Sequence, residues 1–534
     1  MDKLPVKDIV KESFWQLLAV YSFLILIVAL GFFSKYSIYF NALALIVAIL
    51  GVFYFSSSTK ESSSHPIFRK NIFYLLFSLS ILFILSFRLI PYLYNGYKIP
   101  LGYDAGIYKY AIEHGLTNLD LWVRAGVEPG FLYFMTFLNS ALNIPSQFLL
   151  TYGFIFCILC LGLSIYYFTK TYFNDKEIAL ISILIYSISL VQFKVFTFLY
   201  YKNIIALSFT LLAFTFLLKN KLWVFSLFGI LVGIFHRPSF YIFGISYLAF
   251  AIISPYKNKK YDFKILSKYV LHGSLILAIS MLFFIGTFSP AITNLIYPVV
   301  NSFVQTGSSP GTFIDFFDYQ FSILFYLPLS LIGFLFYITQ KKYSLSKDLF
   351  FFYTVFLISI VYFRLFFFNR YLIFLDISMI IFASYGAYIL LKEKSKVGFI
   401  IITILLISGI ILSFNASMDS RPTIPNSIYN SITSIDLSNE NNAYLISISS
   451  EFTPYLQGYI QSSKTTKIIA PGMFDYDALN SRPKWEKFWA DLNASEFKET
   501  YGDDSSIFLY YPRHMNNSCY TSIENVLNLY KWIC

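Results

Sequence analysis

The sequence predicts an α-helical polytopic membrane protein, about 13 transmembrane helices long, with a small α/β domain at its C-terminal end. Three observations carry this. Hydrophobic residues make up 57% of the 534 and charged residues only 13%, half of the roughly 25% charge of an ordinary soluble domain. The apolar residues come in long runs and not in alternation, which excludes an outer-membrane barrel as well as a disordered chain. From residue 415 onward the composition is that of a soluble protein, with 9 basic and 13 acidic side chains.

The apolar runs lie at 14–33, 38–56, 72–90, 148–168, 178–193, 203–218, 222–235, 239–254, 269–287, 321–340, 348–364, 372–391 and 397–414. Several fall short of the ~20 residues that cross a bilayer, so their ends must extend into neighbouring loops. Lys3, Lys7 and Lys11 precede the first run and no small-residue cleavage site follows it, which argues against a cleavable signal peptide. With the N-terminus cytoplasmic, 21 basic residues fall in inner segments and ten in outer ones, in accord with the positive-inside rule. The stretch GFLYFMTFLNSAL (130–142) is too short to cross and reads as a helix at the outer interface. This places the C-terminal domain outside a cell membrane.

In that domain AYLISIS (443–449), TTKIIAP (465–471) and SSIFLYY (505–511) read as buried strands, with helical stretches around 453–461 and 483–499 between them. The β-α-β-α-β order predicts a small α/β layer structure. The three Asn-x-Ser sequons, at Asn415, Asn493 and Asn516, all fall there. Cys519 and Cys534 stand where a disulfide could form and persist. Cys157 and Cys160 lie inside a span, as small packing residues. The chain therefore divides into an extra N-terminal hairpin (1–71), a transmembrane module (72–414) with a long outer loop (91–130), and the outer domain (415–534).

Ionisable groups in or beside the spans are costly, so they point to function. The outer loop carries Asp104 in GYDAGIY, then His114, Asp120, Arg124 and Glu128 in EPG. Ile107, Tyr110, Ala111 and His114 follow at helical spacing, so a helix starts after Asp104. Asp104 is either its N-cap or a carboxylate placed as general base for an acceptor hydroxyl. Glu128 either caps the following helix or joins Asp104 in the chemistry. Tyr200, Tyr201, Lys202 and Asn203 stand at the outer mouth of one span, His236 and Arg237 at the outer end of the next, and Arg364 and Arg370 beside a later one. Cations on the outer side run against the positive-inside bias. Each could snorkel to the interface, and Arg370 could pair with Asp376, but several together would bind an anion such as phosphate. Tyr103, Tyr108, Tyr200 and Tyr201 offer rings for stacking a sugar.

Other chemistries lack support. There is no nucleotide-type glycine loop, no HExxH and no paired CxxC motif. The formal net charge of +11 separates into +15 over residues 1–414 and −4 beyond, and most of the positive charge lies in inner loops, so no nucleic-acid partner is expected.

The layout of GYDAGIY, the Pro-containing start of EPGFLYF, HRPSF at a span break and Arg370-Tyr371 at a late span resembles the GT-C glycosyltransferases. The closest branch in pattern is that of the protein mannosyltransferases and aminoarabinose transferases, in their archaeal or bacterial form. The resemblance covers most of residues 72–414. It implies a polyprenyl-phosphate-linked sugar as donor and Asp104 as catalytic base. Many relatives have two adjacent acidic residues, whereas Ala105 follows Asp104 here. A second acidic role must then come from elsewhere, Glu128 being the candidate, and a divalent metal is an open requirement. The WWDYG signature of oligosaccharyltransferases is missing, so transfer of a whole glycan to Asn is not implied.

The resulting expectation is an inverting transfer at the outer face. Some of Lys202, Arg237 and Arg370 hold the donor's phosphate, His236, Tyr103 and Tyr201 complete the substrate site with Tyr rings for the sugar, and Asp104 deprotonates a glycan, protein or lipid acceptor. A second reading is a polysaccharide polymerase of the EpsG/Wzy type. A third, from another class, is a lipid or sugar transporter or flippase, which would show internal repeats and spans broken at the midplane.

Overall fold

The computed structural model describes residues 66–115, 128–257, 260–284, 314–341, 345–365, 368–392, 396–440, 442–447, 451–462, 466–469, 488–501, 505–513, 515–523 and 526–534. The apolar runs 14–33 and 38–56, with Asp120 and Arg124, lie outside them.

Each of the other eleven apolar runs falls on a helix or a pair of helices. In chain order the helices are α1 (Lys70–Leu93), α2 (Ala105–His114), α3 (Pro129–Ala141), α4 (Ser146–Phe173), α5 (Lys176–Ser187), α6 (Leu190–Thr197), α7 (Tyr201–Leu218), α8 (Leu222–Phe235), α9 (Arg237–Ile253) and α10 (Phe263–Leu282). There follow α11 (Phe316–Ile323), α12 (Leu327–Lys341), α13 (Leu349–Tyr362), α14 (Phe368–Lys392), α15 (Lys396–Asp419), α16 (Asn426–Thr433), α17 (Thr453–Tyr459) and α18 (Ser495–Tyr501).

Six of these are long and apolar enough to cross a membrane, and eight spans result if two bent pairs each count as one. The pairs are α5 with α6, bent by 51°, and α11 with α12, bent by 79°. Helices α8, α9 and α13 are apolar but shorter, at 14, 17 and 14 residues. The structure therefore supports six to eight spans among the described residues, where eleven of the thirteen expected runs fall. The difference has a physical source: an apolar run fixes burial, whereas crossing needs ~30 Å of helix at 1.5 Å per residue. The protein is a multi-pass, mainly helical membrane protein.

The described chain forms two compact units. The first comprises the described parts of 1–90, 156–195 and 200–419. Helix α14 is its centre, with 89% of its apolar window buried, whereas α10 and α15 bury only 17% and 18% and present Phe263, Leu271, Phe399 and Ile404 outward. Outward apolar faces on helices of this length are what lipid contact requires. Aspartates start several of the helices: Asp175, Asp262, Asp315 and Asp348 each accept a hydrogen bond from a backbone N–H one to two residues inside the helix they precede.

The second unit comprises 91–155, 196–199 and 420–534. Its sheet contains β1 (Ala443–Ser447), β2 (Lys467–Ile469), β3 (Ser506–Tyr510), β4 (Tyr520–Ser522) and β5 (Leu529–Trp532), in the order β2-β1-β3-β5-β4. The three strands expected from the sequence are β1, β2 and β3, and they pair in parallel, Ala443 opposite Ser506 and Tyr444 opposite Lys467. Strands β5 and β4 add antiparallel, with Phe508 opposite Lys531 and Tyr520 opposite Trp532. Ile446, Phe497, Ile507, Leu509 and Trp532 form the core beside this sheet.

Cys519 and Cys534 form a disulfide, with Cα atoms 5.1 Å apart and a separation of 15 positions in sequence. It closes the β4–β5 hairpin at the chain end. Closing a loop of that length stabilises by about 3 kcal/mol through the unfolded state. Reduction, or Cys534→Ser, is therefore expected to lower the thermal midpoint of the 420–534 region by several degrees, read as earlier protease cleavage on heating.

Candidate active site

Asp104 occupies the N-cap position of α2, but its side chain makes no cap hydrogen bond. The four capping aspartates elsewhere show what the alternative looks like. The carboxylate is partly exposed and is not spent on closing its own helix. Glu128 stands likewise at the N-cap of α3, ahead of Pro129 at the first helical position, and makes no cap bond either. It is 3% exposed.

Helices α2 and α3 lie side by side and parallel. The rings of Tyr108 and Phe131 meet at 5.3 Å, and farther along Thr136 Oγ1 donates to the carbonyl of Ile112 at 3.5 Å. Asp104 is one turn before Tyr108 and Glu128 just under one turn before Phe131, so both carboxylates stand at the same end of the pair. Both also sit at helix N-termini.

The buried face of α2 is Ala105, Ile107, Tyr108, Ala111 and Ile112. This departs from the face expected from sequence: Tyr110 and His114 stack on each other at 4.1 Å at the exposed side. The buried face turns Tyr108 against Phe131, and α3 was not visible as its partner from spacing alone.

Helix α17 is the third member of this group, and it too runs parallel to α2. Tyr455 Oη donates to the carbonyl of Gly102 at 2.9 Å, and the Lys109 ammonium lies 5.2 Å from the centre of the Tyr459 ring. Glu451, just ahead of α17, is thereby brought to the Asp104 end. Burial holds the Tyr103 hydroxyl above its ordinary pKa, and the charges of Asp104 and Glu451 add to this. Glu451 was missed at the level of sequence. Its one signal was an acidic residue immediately before the Thr453-Pro454 helix start.

The predicted cations belong to the first unit. The three-residue turn Lys219–Lys221 makes α7 and α8 antiparallel neighbours, with Phe209 against Phe235 at 5.3 Å. His236 and Arg237, which join α8 to α9, therefore lie beside the middle of α7, and Lys202, in the first turn of α7, stands between one and two turns beyond them. The imidazole of His236 stacks on Phe374 at 6.1 Å, and Arg370 is one turn from Phe374 on α14. His236 is thus brought to the N-terminal part of α14 that carries Arg370, with Arg237 next to it in sequence. The Arg237 guanidinium lies 5.9 Å from the centre of the Phe284 ring.

His236 also has a structural task. Its Nδ1 accepts from the Ser239 backbone N–H at 3.3 Å and is 2.8 Å from Ser239 Oγ, capping α9. Tyr201 is 1% exposed, and its hydroxyl lies 4.0 Å from the Cys157 thiol, which donates to it. Its ring serves the helix core here in place of the sugar-stacking role expected. Arg370 does not pair with Asp376. The Asp376 carboxylate accepts from Gln192 Nε2 at 2.7 Å, from Ser189 Oγ at 3.2 Å and from the Tyr326 hydroxyl. It lies on the buried side of α14 two turns in, where the cation cannot follow without leaving the helix end. Lys194 pairs with Asp318 at 3.0 Å, and Arg364 lies over the rings of Phe316 and Phe368.

Among the described residues no group of three or more His, Cys, Asp or Glu side chains could hold a metal ion. Asp104, Glu128 and Glu451 share an end without forming such a set. A protein-held zinc, which takes three or four close ligands, does not fit them.

No protein-family model matches this sequence, and no curated protein matches it either. The backbone does match solved structures. One is the oligosaccharyltransferase of Archaeoglobus fulgidus, solved with zinc and sulfate, at a TM-score of 0.54 and 12% identity, over 81% of this chain and 67% of that one. Another is ArnT from Cupriavidus metallidurans, solved with undecaprenyl phosphate, at a TM-score of 0.53 and 9% identity, over 87% of this chain and 98% of that one. The chain has the GT-C glycosyltransferase fold. At such identities this GT-C likeness is one of backbone, and no residue role passes with it.

Proposed function

We propose that this chain is a membrane glycosyltransferase that moves a sugar from a polyprenyl-phosphate-linked donor to an acceptor hydroxyl at the extracytoplasmic face. The observation that carries the proposal is the GT-C likeness to ArnT, a structure holding undecaprenyl phosphate, over 87% of this chain. In this reading all thirteen apolar runs cross the membrane, the N-terminus is cytoplasmic and the C-terminal domain extracytoplasmic. Residues 1–71 are an added hairpin, 72–414 the transmembrane module and 415–534 the outer domain.

The mechanism assigns a task to each group of residues. Lys202, Arg237 and Arg370, with His236, bind the lipid phosphate and offset its charge as it leaves. Asp104 takes the proton of the acceptor hydroxyl while that oxygen attacks the anomeric carbon. The bond from the anomeric carbon to the phosphate oxygen breaks, and the lipid phosphate departs. One displacement without a covalent intermediate inverts the anomeric centre. Glu128 supports the acidic end of α2 and α3, and Tyr103 offers its partly exposed ring to a sugar. No step is routed through a metal.

Charge supports the assignment of the cations. Several cations on the outer side of the spans run against the positive-inside bias and suit an anion such as phosphate. Arg237→Ala and Arg370→Ala are each expected to raise the donor KM about tenfold, on the scale of one charged hydrogen bond. Arg237→Lys should recover part of the loss, since Lys keeps the charge and loses the bidentate fork. Transfer assays with varied polyprenyl-phosphate sugar check both, and unchanged KM in both variants removes the phosphate-binding assignment.

A further inference from the structure

We infer that α17, a helix of the C-terminal region, is the positioning element for Asp104, with Tyr455 and Gly458 as the residues that hold it. The inference rests on the reading of Asp104 as general base.

Asp104 is flanked by two glycines, and each is used for backbone contact. Gly102 has φ +99°, and a Cβ there would stand 2.6 Å from Leu199 Cβ. Its carbonyl is the one that accepts from Tyr455 Oη, a fully buried side chain. Gly106, in the first turn of α2, is where the two helices touch. A Cβ at Gly106 would lie 1.7 Å from the carbonyl oxygen of Pro454, and one at Gly458 would lie 2.2 Å from the carbonyl oxygen of Gly106. No side chain fits between these backbones. Glycine on both sides of a crossing is the same device that lets membrane helices approach closely.

The clasp extends beyond the glycines. Tyr459 Oη donates to Gln147 Oε1 at 2.8 Å, and Gln147 Nε2 donates to the Lys98 carbonyl at 2.6 Å. Ser146 Oγ donates to Glu113 Oε1 at 2.5 Å. Helix α17 thus fastens the chain before Asp104 through Gly102, and the chain after it through Gly106 and Lys109. What it fixes is the three-residue interval, Tyr103 to Ala105, that contains Asp104.

A general base acts only within hydrogen-bond reach of its proton, and a misplacement of about 1 Å can cost about 10²-fold in rate. Gly458→Ala must open the crossing by roughly 1 Å, since non-bonded heavy atoms settle above about 3 Å. Tyr455→Phe deletes only the hydroxyl that anchors the Gly102 carbonyl.

The test uses the full chain in lipid nanodiscs, with hydrogen exchange and steady-state transfer kinetics on the same samples. Gly458→Ala is expected to raise amide exchange in peptides covering 100–110 at least tenfold, with β1 and β3 unchanged. Its kcat should fall about 100-fold with donor KM within twofold. Tyr455→Phe should show the same split at about tenfold in kcat, and it decides the matter if Gly458→Ala does not fold. Unchanged exchange at 100–110 in Tyr455→Phe overturns the inference whatever the turnover. Wild-type kcat in both variants, with turnover lost in Asp104→Asn, overturns the positioning role alone. Wild-type turnover in Asp104→Asn overturns the base assignment and the inference with it.

Discussion

Asp104→Asn is expected to reduce sugar transfer by about 10²- to 10⁴-fold, the range a positioned general base supplies. The substitution keeps size and most polarity, and removes the ability to accept a proton. Because Asp104 makes no cap bond to α2, the helix should start at the same residue and the fold should stay intact. That separates this site from Asp175 or Asp262, where the same change would weaken a cap. Donor binding should persist, since the phosphate contacts are assigned to other residues. Purified variant protein assayed with a polyprenyl-phosphate sugar, alongside a donor-binding measurement, checks this. Turnover equal to wild type would remove Asp104 from the chemistry. Asp104→Glu should retain more activity than Asn but less than wild type, because the longer side chain carries the base at a different depth.

The largest expected effect on stability lies at Asp376. Its carboxylate is fully buried and accepts from Ser189, Gln192 and Tyr326. Ser189 lies in the break between α5 and α6, and Tyr326 in the break between α11 and α12. One side chain on the central helix therefore ties both bent pairs. Asp376→Ala leaves three buried donors without their acceptor, at about 1–3 kcal/mol each. Interactions inside membrane helix bundles run toward the low end of that range. A total of about 3–5 kcal/mol is expected, seen as a loss of several degrees or more in thermal midpoint in detergent. Asp376→Asn keeps one acceptor oxygen and should lose about half as much. A midpoint equal to wild type in Asp376→Ala would show that the breaks are held by packing alone. Broken spans are also what a transporter would show. Here they are pinned by a satisfied carboxylate, with no inverted repeat in the sequence to match them.

Much of the local structure was legible because it depends on nearest neighbours. Runs such as 203–218 and 372–391 became α7 and α14, since a continuous apolar stretch of that length has few ways to satisfy its backbone in lipid other than a helix. The strands at Ala443, Lys467 and Ser506 followed from their apolar, β-branched and aromatic content. The start of α2 after Asp104 and of α3 at Pro129 followed from N-terminal signals. What those signals cannot convey is whether a residue at the N-cap position spends its side chain on the cap. Asp104 and Asp262 look alike in sequence, and only the second accepts from its own helix.

The sequence by itself determined that this is a membrane-embedded helical protein with a soluble-type C-terminal region, and it singled out the few charges worth attention, because apolar runs and isolated charges are read one segment at a time. The tertiary structure decided the partners. Asp376 belongs with Tyr326, 50 residues away, and not with Arg370 one helical segment before it. Residues 91–155 cluster with 420–534, and Gly106 meets Gly458. These pairings join positions up to 353 residues apart, as in Tyr455 with Gly102. They are set by which surfaces can exclude lipid and water together, a property of the assembled chain that no single segment carries.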